Sequence, residues 1–544
     1  MKHILQIKPY NQSRIDTGTY QIVDDPNVIK ESYADYLQDE SRFKGYADCV
    51  MFPESEQDIL DIVRHAKEHG LPVTISSART GISGGAVPQG GALCSLERMN
   101  RILDVNWDEE NACWRLSCQP GISLEYLDRT LRGMEKPNCS DNVLDSKFWK
   151  ESGNWFYPPD PTEKTAHLGG TVATNASGSR SYHFGPTRNF ITRLKVVLSN
   201  GWLLELKRGE AIIQTGDIVQ IEHADESIQV AIPEFKMPDI KHAAGYYLKS
   251  PMDLIDLFIG SEGTLGIITE VEIQLRLRPE SMLGALVFFK SDEAAHRFVN
   301  TLKQSEEEAI VPTAIEYFDQ NALKLLRMVK KESPASTIRA FPESAMAAIY
   351  VEKDSAEEAS ENCLIAYDAL LSGWDKEIID TWAGTETHEL EAMSEFRHAV
   401  PEAINSKIGQ RQRDIPGLHK IGTDFAVSDD AFPEMMDYYR SILSEAEIEY
   451  AIFGHIGDNH VHVNMIPRNS EELRKAKDIY VQFATKAVQL GGTVSAEHGI
   501  GKLKKQVLKI LYSSEEIEKL LEIKCGFDPE GLLCPGNQIE CKNP

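Results

Sequence analysis

Three stretches of small residues in the first half of the chain place the strongest constraint on its fold. They occupy residues 76–88, 167–178 and 260–266, and glycine, serine, alanine and threonine are frequent in them. Small side chains let consecutive backbone N–H groups approach an anion closely and form a concave nest around it. The first stretch matches neither G-x-G-x-x-G opening a helix nor G-x-x-x-x-G-K-[ST], so the two common nucleotide fingerprints are absent there. Three such loops predict close backbone approach to an extended ligand, for which a dinucleotide is suitable.

The segments around these loops carry ordinary helix and strand signals. Apolar residues at helical spacing predict a helix between residues 53 and 70, and Gly70 followed by Pro72 ends it. Residues 73–75 and 191–198 are rich in β-branched side chains, which predicts strands. The first small-residue loop therefore leaves directly from a predicted strand.

Two histidine-bearing segments near the C-terminal end form the second informative feature. They are residues 454–464 and 492–501. Residues 450–453 predict a buried strand and 457–459 a turn, after which His460, His462 and Asn464 alternate with valine and so share one face. Neutral imidazole and carboxylate are ligands that a borderline divalent cation such as zinc accepts. A histidine beside such a cation can act as a general base.

The region between the loops and the histidines has a different pattern. It predicts, in order, strand 283–289, helix 292–303, strands 313–318 and 346–351, and helix 356–371. This β-α-β-β-α order predicts an antiparallel sheet with helices on one face. A further long helix is predicted over residues 386–404.

Bulk properties limit the classes of function. A chain of 544 residues is too long for one core and predicts two or three units. The net charge of −27 argues against nucleic acid or an anionic membrane as a partner, and no apolar run is long enough to span a bilayer. The first eight residues lack the apolar core of a secretory signal. Nine cysteines without a C-x-x-C pair exclude an ordinary iron–sulfur motif and fit a reducing compartment, so cytoplasm is the expected location, with any membrane attachment through a partner.

Several of these motifs resemble known flavoproteins. The segments Pro159-Asp160-Pro161, 169–176 and 260–266 are similar to the FAD-binding segments of the vanillyl-alcohol-oxidase-type superfamily. The pattern of His455, His462 and Glu497-His498 resembles the FAD-linked D-2-hydroxyacid dehydrogenases, a family that includes D-lactate dehydrogenase, D-2-hydroxyglutarate dehydrogenase and the glycolate oxidase flavin subunit. The closing residues 527–536 are also similar to the C-terminal signature of that family.

The resemblance implies a fold and a division of the chain. The expected class is α+β, with a PCMH-type FAD-binding domain and an α+β cap domain built on an antiparallel sheet. The expected segments are an N-terminal extension at 1–45, the FAD-binding domain at 46–280, the cap with the metal-binding histidines at 281–490, and a C-terminal segment at 491–544 that returns to the FAD domain.

The resemblance also implies roles for individual residues. His498 stands at the position of the catalytic base, Arg397 at that of an arginine that binds the substrate carboxylate, and Lys241, Tyr246 and Asn464 are further substrate-side candidates. The expected metal ligands are His455, His462 and Glu497, for zinc or manganese. The expected FAD-binding residues are Ser77, Ala78, Arg79, Thr80, Gly81, Gly84, Gly85, Ala86, Pro159, Asp160, Gly169, Gly170, Thr174, Asn175, Ala176, Gly178, Glu262, Gly263, Thr264, Gly266, Ile268 and Cys534.

The sequence departs from the family pattern at several positions. Ser77-Ala78-Arg79 replaces successive glycines, which leaves Arg79 as either a phosphate or substrate contact or a solvent-facing side chain. His460 follows Asn459 where relatives usually have Gly-Asn, so it is a rival metal ligand. Cys534 occupies the usual asparagine position, which predicts the loss of one hydrogen bond near the flavin. The first loop has no histidine, so the FAD is expected to be non-covalent.

The implied function is oxidation of a small anionic D-2-hydroxy acid to the 2-oxo acid, with proton abstraction by His498 and hydride transfer to flavin. The alternatives are a metal-independent flavin oxidase or ether-forming synthase on the same fold, and an FAD-binding subunit of a larger redox complex. Without an iron–sulfur motif, electrons must pass to another acceptor or to a partner subunit. The oligomeric state stays open, a homo-oligomer included.

Overall fold

The structure is a computed structural model that describes residues 4–7, 20–224, 226–333 and 336–541. Parts of two sequence-based predictions therefore fall outside the described residues. These are the N-terminal extension at 1–45 and the first eight residues, which were examined for a secretory signal. Among the described residues, no helix is both long and apolar enough to cross a membrane.

The helices and strands of the described residues are numbered here in chain order. The helices are α1 Pro26–Ser32, α2 Glu56–His69, α3 Leu124–Leu131, α4 Asp141–Leu144, α5 Leu168–Thr174, α6 Ser181–Phe184, α7 Leu254–Phe258, α8 Asp292–Lys303, α9 Gln320–Glu332, α10 Glu357–Ser372, α11 Thr387–Gln412, α12 Phe432–Ala446, α13 Ser470–Gln489, α14 Lys505–Leu511 and α15 Ser514–Phe527. The strands are β1 Ile4–Ile7, β2 Gln21–Val23, β3 Cys49–Phe52, β4 Val73–Ser76, β5 Ala92–Ser95, β6 Ile102–Asp108, β7 Cys113–Cys118, β8 Trp155–Phe156, β9 Ile191–Val197, β10 Leu203–Lys207, β11 Ile212–Ile213, β12 Ile218–His223, β13 Glu226–Ala231, β14 Met252–Asp253, β15 Ile267–Gln274, β16 Arg276–Leu277, β17 Ser281–Phe289, β18 Ala314–Asp319, β19 Ala347–Ser355, β20 Ile378–Gly384, β21 Ile421–Gly422, β22 Tyr450–His455 and β23 His460–Met465.

The chain divides into two compact units. Unit 1 comprises Met1–Ser177, Gly185–Arg278 and Glu497–Pro544, and unit 2 comprises Gly178–Phe184 and Pro279–Ala496. These limits differ from the sequence-based segments at three places. Helix α6 belongs to unit 2, unit 2 resumes at Pro279 rather than at residue 281, and the return to unit 1 begins at Glu497 rather than at residue 491. Strand β2 pairs with β3, so part of the expected extension is built into a sheet of unit 1.

Unit 1 contains two larger sheets. The four-stranded sheet has the order β2-β3-β5-β4, and β5 runs parallel to both β3 and β4. The five-stranded sheet has the order β10-β9-β15-β7-β6 and is antiparallel throughout. Each of the three small-residue loops adjoins one of these elements: the first leaves β4, the second contains α5, and the third leads into β15.

Helix α2 shows why the predicted helix forms between residues 53 and 70. A capping box of Ser55 and Asp58 begins it, and Gly70 ends it with φ 59°, a left-handed conformation that suits glycine. Its apolar face, which includes Ile59 and Val63, is fully buried against strands of the four-stranded sheet. This packing holds the end of β4, and with it the start of the first loop, in place.

Unit 2 is built on one seven-stranded antiparallel sheet with the order β20-β17-β19-β18-β22-β23-β21. The predicted strands in this region are confirmed by β17, β18 and β19, and the predicted helices by α8, α10 and α11. Helix α9 and strand β20 lie within the same region and were not predicted. The histidine segment forms the hairpin of β22 and β23, with His455 directly opposite His460.

The expectation that helices cover one face of this sheet is wrong. Phe288 and Phe289 are neighbours on β17 and point to opposite faces. The Phe288 ring packs against Phe396 of α11 at 6.1 Å between centroids, and the Phe289 ring packs against Phe298 of α8 at 5.3 Å. The central strands are therefore buried on both faces and lack the polar alternation of a sheet with one wet face.

Two cysteines are paired despite the absence of a C-x-x-C motif. Cys525 near the end of α15 and Cys541 in the C-terminal tail form a disulfide, with Cα atoms 5.9 Å apart. The scattered cysteine pattern was interpreted as typical of a reducing compartment, and the disulfide removes that support. It also ties the tail to α15 across sixteen residues of sequence separation.

Candidate active site

A cavity of about 340 Å³ lies within unit 1, and the three small-residue loops form most of its wall. The sequence-predicted cofactor residues on this wall are Ser77, Ala78, Arg79, Thr80, Gly81, Gly85, Ala86, Gly169, Gly170, Thr174, Ala176, Glu262, Gly263, Gly266 and Ile268. The structure therefore brings together loops that are separated by about ninety residues each along the chain. Such a wall offers backbone groups of several loops to one ligand.

Two glycines show that the cavity is shaped for a ligand rather than for packing. A Cβ atom on Gly81 would meet nothing nearer than Asp39 Oδ2 at 4.0 Å, and one on Gly170 nothing nearer than Ser77 Cβ at 3.8 Å. Neither glycine has the left-handed backbone that side chains avoid. Neither a close neighbouring atom nor a left-handed backbone therefore requires glycine at these two positions. The open space beside them fits an extended group such as FAD.

Some predicted cofactor residues lie behind or beside the wall. Asn175 caps the end of α5, and its Oδ1 accepts a hydrogen bond from the Arg188 backbone N–H at 3.0 Å. Gly84 has φ +75° and faces Leu503 and Phe43 rather than the cavity. Pro159 is buried and Asp160 is half-buried, just before wall residues 161–163.

Thr264, Cys534 and Gly178 also lie off the wall. Thr264 is fully buried and donates its hydroxyl to the Ser261 carbonyl at 2.6 Å. The Cys534 sulfur accepts from the Ile75 backbone N–H at 3.4 Å, which ties the C-terminal segment to β4. Gly178 belongs to unit 2, where its N–H donates to Ser181 Oγ at 2.9 Å.

Arg79, a residue of the cavity wall, contacts two side chains of the same unit. Its guanidinium stacks over the Tyr36 ring at 4.2 Å and pairs with Glu97 at 3.6 Å. Its backbone has φ +61°, the left-handed conformation for which glycine is the usual residue. These contacts hold the side chain beside the loop, while the backbone keeps a glycine-like conformation.

Three residues on or beside the wall were missed by the sequence reasoning. Asn537 lines the cavity, and its amide donates to the carbonyls of Gly85 and Glu262 at 3.0 and 3.2 Å. Lys502 donates to Asn537 Oδ1 at 2.7 Å. Asn537 thus supplies an amide beside the cofactor loops, although Cys534 occupies the usual asparagine position. Two amide side chains, Asn537 and Gln538, follow Cys534 closely in the sequence and could have indicated such a group.

His167 is the third missed residue. It lies on the wall, and its Nδ1 is 2.9 Å from Ser77 Oγ, which joins the first loop to the second. Burial, together with the positive charge of Arg79, lowers the pKa of His167 to about 4. The imidazole is therefore neutral at pH 7 and serves as a hydrogen-bonding group rather than as a cation.

Glu262 joins the third loop to the segment that follows His498. Its two carboxylate oxygens accept hydrogen bonds from the backbone N–H groups of Ile500 and Gly501, each at 2.7 Å. Gly499 has φ +71°, and a Cβ there would lie 2.6 Å from Glu262 Oε1, so glycine is required at that turn. Burial raises the pKa of Glu262, and the two N–H groups oppose that shift.

Glu497 and His498 both line the cavity, and polar side chains of unit 1 lie around them. The Glu497 carboxylate lies 3.4 Å from His498 Nε2 and 3.1 Å from Lys241 Nζ. Ser177 donates its hydroxyl to the same carboxylate at 3.3 Å. A carboxylate and an imidazole on a cavity wall can hold and move a proton there.

The other predicted substrate-side residues have different surroundings. The Tyr246 hydroxyl lies 2.8 Å from Thr264 Oγ1 in the core of unit 1, and burial raises the pKa of Tyr246. Asn464 lies in unit 2 on β23, directly opposite Gly422 of β21. Lys241, by contrast, lies 3.1 Å from Glu497 of the cavity wall.

In unit 2, three imidazoles converge on the β22–β23 hairpin. His455, His460 and His462 have ring centroids between 4.6 and 5.5 Å apart, and their candidate ligand atoms lie within 4.8 Å of one another. The neutral nitrogen donors of such a group suit zinc and similar ions. His455 and His462 were expected as ligands, and His460 joins them in the same group.

Arg397 lies on α11 in the same unit. Its Nε is 3.8 Å from Glu316 Oε2, while Glu316 Oε1 is 2.6 Å from His455 Nδ1. Burial alone would raise the pKa of Glu316, but His455 and Arg397 together lower it to about 2. Glu316, which the sequence reasoning did not single out, therefore links the predicted carboxylate-binding arginine to a predicted metal ligand.

The chain matches two protein-family descriptions in order along its length. Residues 47–139 and 146–207 match the FAD binding domain, and residues 278–538 match the C-terminal domain of FAD linked oxidases. The chain belongs to the FAD-linked oxidase family and is an FAD-binding oxidoreductase, which confirms the resemblance seen in its motifs.

Its curated relatives cover nearly the whole chain. The chain is 28% identical to glycolate oxidase subunit GlcD of Bacillus subtilis (strain 168), over 92% of this chain and 90% of that protein. It is 29% identical to a D-lactate dehydrogenase of Anaerostipes hadrus, over 94% and 93%. It is 27% identical to a D-2-hydroxyglutarate dehydrogenase of Stutzerimonas stutzeri (strain A1501), over 90% of each.

Solved structures agree on the fold. The structure of p-cresol methylhydroxylase with substrate bound matches with a TM-score of 0.66 at 13% identity, and the match covers 96% of this chain and 95% of that one. The expected α+β class, with a PCMH-type FAD-binding domain and an antiparallel cap sheet, is therefore confirmed.

Proposed function

We propose that this protein oxidises a D-2-hydroxy acid to the corresponding 2-oxo acid while its FAD is reduced. The names of the relatives, a D-lactate dehydrogenase, a D-2-hydroxyglutarate dehydrogenase and a glycolate oxidase subunit, support this substrate class. The observation that carries the proposal is the position of His498 on the wall of the cavity that the FAD-binding loops surround. A base in that position can act on a substrate held against the cofactor.

The proposed residues bind the substrate and handle its proton. His498 takes the proton of the substrate hydroxyl, and the neighbouring Glu497 orients its imidazole through the contact at 3.4 Å. Arg397 binds the substrate carboxylate, because a guanidinium presents paired N–H donors to two oxygens. Lys241 adds positive charge beside Glu497. Bound FAD supplies the acceptor for the hydride that leaves the α-carbon, so proton and hydride together account for the oxidation.

His455, His462 and Glu497 are proposed to hold a divalent cation, zinc or manganese. Two imidazoles and a carboxylate form a donor set that such ions accept, and catalytic sites leave one position for substrate or water. The ion would supply Lewis-acid polarisation of the substrate hydroxyl. The donor set of this chain fits that requirement on chemical grounds.

The test is anaerobic reduction of the flavin. The purified holoprotein is mixed with D- and L-lactate, glycolate and D- and L-2-hydroxyglutarate, one at a time, and the visible flavin band is followed. The expected result is rapid bleaching by one D-acid, or by glycolate, and none by the L-enantiomers. A flavin that none of these acids bleaches would contradict the substrate class.

Two variants test whether His498 is the base. His498→Ala should keep FAD and lose bleaching by at least about 100-fold, the usual contribution of a positioned base. His65→Ala removes an exposed imidazole of the same unit and should bleach as the unchanged protein does. Near-normal bleaching by the His498 variant would remove His498 from the base assignment.

Metal removal distinguishes the principal alternative. If bleaching is abolished by a chelator and restored by zinc or manganese, the metal has a part in the reaction. Bleaching that is unaffected by complete metal removal would favour a metal-independent flavin oxidase. Because one relative is named as a subunit, we also propose that a partner redox subunit can accept the electrons.

A further inference from the structure

We infer that His460 is a third imidazole ligand of the divalent cation and that Asp424 is the residue that positions it. This goes beyond the metal set of His455, His462 and Glu497, and it rests on the proposal that this protein binds such an ion. It predicts a site in which unit 2 alone supplies three nitrogen donors. The contacts of each imidazole support it in turn.

Each of the three rings is held at one nitrogen by an oxygen atom of unit 2. His455 Nδ1 lies 2.6 Å from Oε1 of the Glu316 carboxylate, an oxygen that accepts hydrogen bonds. His462 Nδ1 lies 3.0 Å from the Thr423 carbonyl oxygen, which also accepts. Both rings therefore donate from Nδ1 and carry their lone pair on Nε2.

His460 has the same arrangement with its nitrogens exchanged. Its Nε2 lies 3.1 Å from Asp424 Oδ1, so a proton on Nε2 would face the carboxylate and leave the lone pair on Nδ1. A carboxylate or carbonyl behind the far nitrogen is the usual support of a metal-bound histidine, since it fixes both the tautomer and the ring orientation. His460 thus has the support that is expected of a ligand.

Asp424 is itself held in place. It is 1% exposed, its Oδ2 accepts from Ser495 Oγ at 2.6 Å, and its backbone carbonyl accepts from the Ala496 N–H at 2.9 Å. One carboxylate oxygen therefore accepts from Ser495, and the other lies beside His460 Nε2. A buried carboxylate arranged in this way has little freedom to do anything but orient the imidazole.

The distances are close to those of a bound ion. The candidate ligand atoms lie within 4.8 Å of one another, whereas two nitrogens bound at about 2.1 Å to one zinc are at most about 4.2 Å apart. Closing the gap needs a shift of under about 1 Å, which side-chain rotations supply. His460 is also 0% exposed, so its imidazole is already within the protein when an ion arrives.

The chemical consequence concerns metal preference. Imidazole suits zinc, copper, iron and nickel, whereas manganese and magnesium favour oxygen ligands. A third nitrogen donor shifts the donor set toward zinc and away from manganese. We expect the apoprotein to bind zinc more tightly than manganese and His460→Asn, which offers an amide oxygen, to reduce that difference.

The first experiment measures metal binding without turnover. Apoprotein that retains FAD is titrated with zinc in competition with a chromophoric chelator, and with cobalt for its visible absorption bands. His460→Asn should weaken zinc binding at least about 10-fold and alter the cobalt bands, and Asp424→Asn should weaken it by about 10- to 100-fold. His296→Asn removes another largely buried imidazole of unit 2, outside the cluster, and should leave both readouts unchanged.

The second experiment needs no variant. X-ray absorption of the zinc-loaded protein counts imidazoles around the ion through their ring scattering: three support the inference, and two overturn it. Unchanged zinc affinity and cobalt bands in His460→Asn would also overturn it. A protein that binds no stoichiometric metal would contradict the metal part of the proposed function as well, whereas flavin bleaching tests the oxidation itself independently.

Discussion

The carboxylate of Glu262 accepts the backbone N–H of Gly501 at 2.7 Å, and with it that of Ile500. One side chain of the third cofactor loop therefore fixes the turn that follows the proposed base, His498. Both sides of this contact belong to unit 1, and Glu262 and His498 line the cavity. The same residue thus connects two needs of an FAD-linked oxidase, a rigid cofactor loop and a positioned acid–base group.

Replacing Glu262 should make both the third cofactor loop and the turn after His498 less rigid. In Glu262→Gln an amide nitrogen replaces one acceptor, so one buried backbone N–H loses its partner at a cost of about 1–3 kcal/mol. We expect the dissociation constant for FAD to rise about 5- to 100-fold, measured by fluorescence of released flavin. Glu210→Gln, at an exposed position of the same unit, is the control. If FAD retention and melting temperature are unchanged in both variants, the contact of Glu262 with Ile500 and Gly501 does not stabilise the protein.

The disulfide of Cys525 and Cys541 should stabilise the segment that carries Asn537. Because the bridge closes a loop of about sixteen residues, its loss should lower the free energy of unfolding by about 3 kcal/mol in the chain-entropy description. Cys541→Ser is expected to melt at a lower temperature and to release FAD faster. Cys139→Ser changes a cysteine that is not in a disulfide and should match the unchanged protein. Equal melting temperatures with and without a reductant would contradict the prediction.

Local signals predicted much of the fold. The helix α8 was expected over residues 292–303 and has those limits, because Ser291 caps it and apolar residues at helical spacing face the core. Helix α9 was missed although its apolar face is as regular, since Asp319, which caps it, also ends the buried strand β18. The prediction that helices cover one face of the sheet was wrong. Whether a strand is buried on both faces depends on which helices pack against the sheet, and local sequence does not indicate that.

The candidate site was predictable to the extent that its residues stand in glycine-rich or histidine-rich motifs. Gly81 and Gly170 belong to such motifs and line the cavity. Asp424 and Glu316 support imidazoles from about thirty-six and one hundred and thirty-nine residues away in sequence, and no local spacing indicates that. Asn537 was not predicted because its contacts with Gly85 and Glu262 join residues that are distant in sequence, while the nearby Cys534 sulfur contacts β4 instead. Supporting residues are fixed by tertiary contacts, so they emerge only with the structure.

Acid should destabilise the folded protein through histidines that are buried in the neutral form. Burial lowers the pKa of His242 to about 4, as it does for His167, against 6.5 for an unfolded chain. Between these values the unfolded state binds more protons, so the free energy of unfolding falls as the pH drops from about 6.5 to about 4 and is flat just above 7. Each such histidine contributes a slope of at most about 1.4 kcal/mol per pH unit.

Urea denaturation at several pH values checks this sign. His242→Gln should reduce the slope between pH 6.5 and 4, because its imidazole no longer takes up a proton on unfolding. His69→Gln, at an exposed position of α2, should leave the slope unchanged. A stability that is constant over this range in the unchanged protein would show that both imidazoles are protonated in the folded state.

Arg397 should govern substrate binding through geometry as well as charge. Its Nε lies 3.8 Å from Glu316 Oε2, and its guanidinium is a planar fork whose geometry matches the two oxygens of a carboxylate. Arg397→Lys keeps the charge beside Glu316 but offers no bidentate fork, so kcat/KM for the 2-hydroxy acid should fall about 10- to 100-fold, corresponding to about 1.5–3 kcal/mol. Arg411→Lys is a matched control on the same helix, since that arginine pairs with Glu449 and donates to the Ile466 carbonyl. Both variants should unfold at similar denaturant concentrations, and only Arg397→Lys should lose activity; an equal loss in both would assign the effect to the helix rather than to carboxylate recognition.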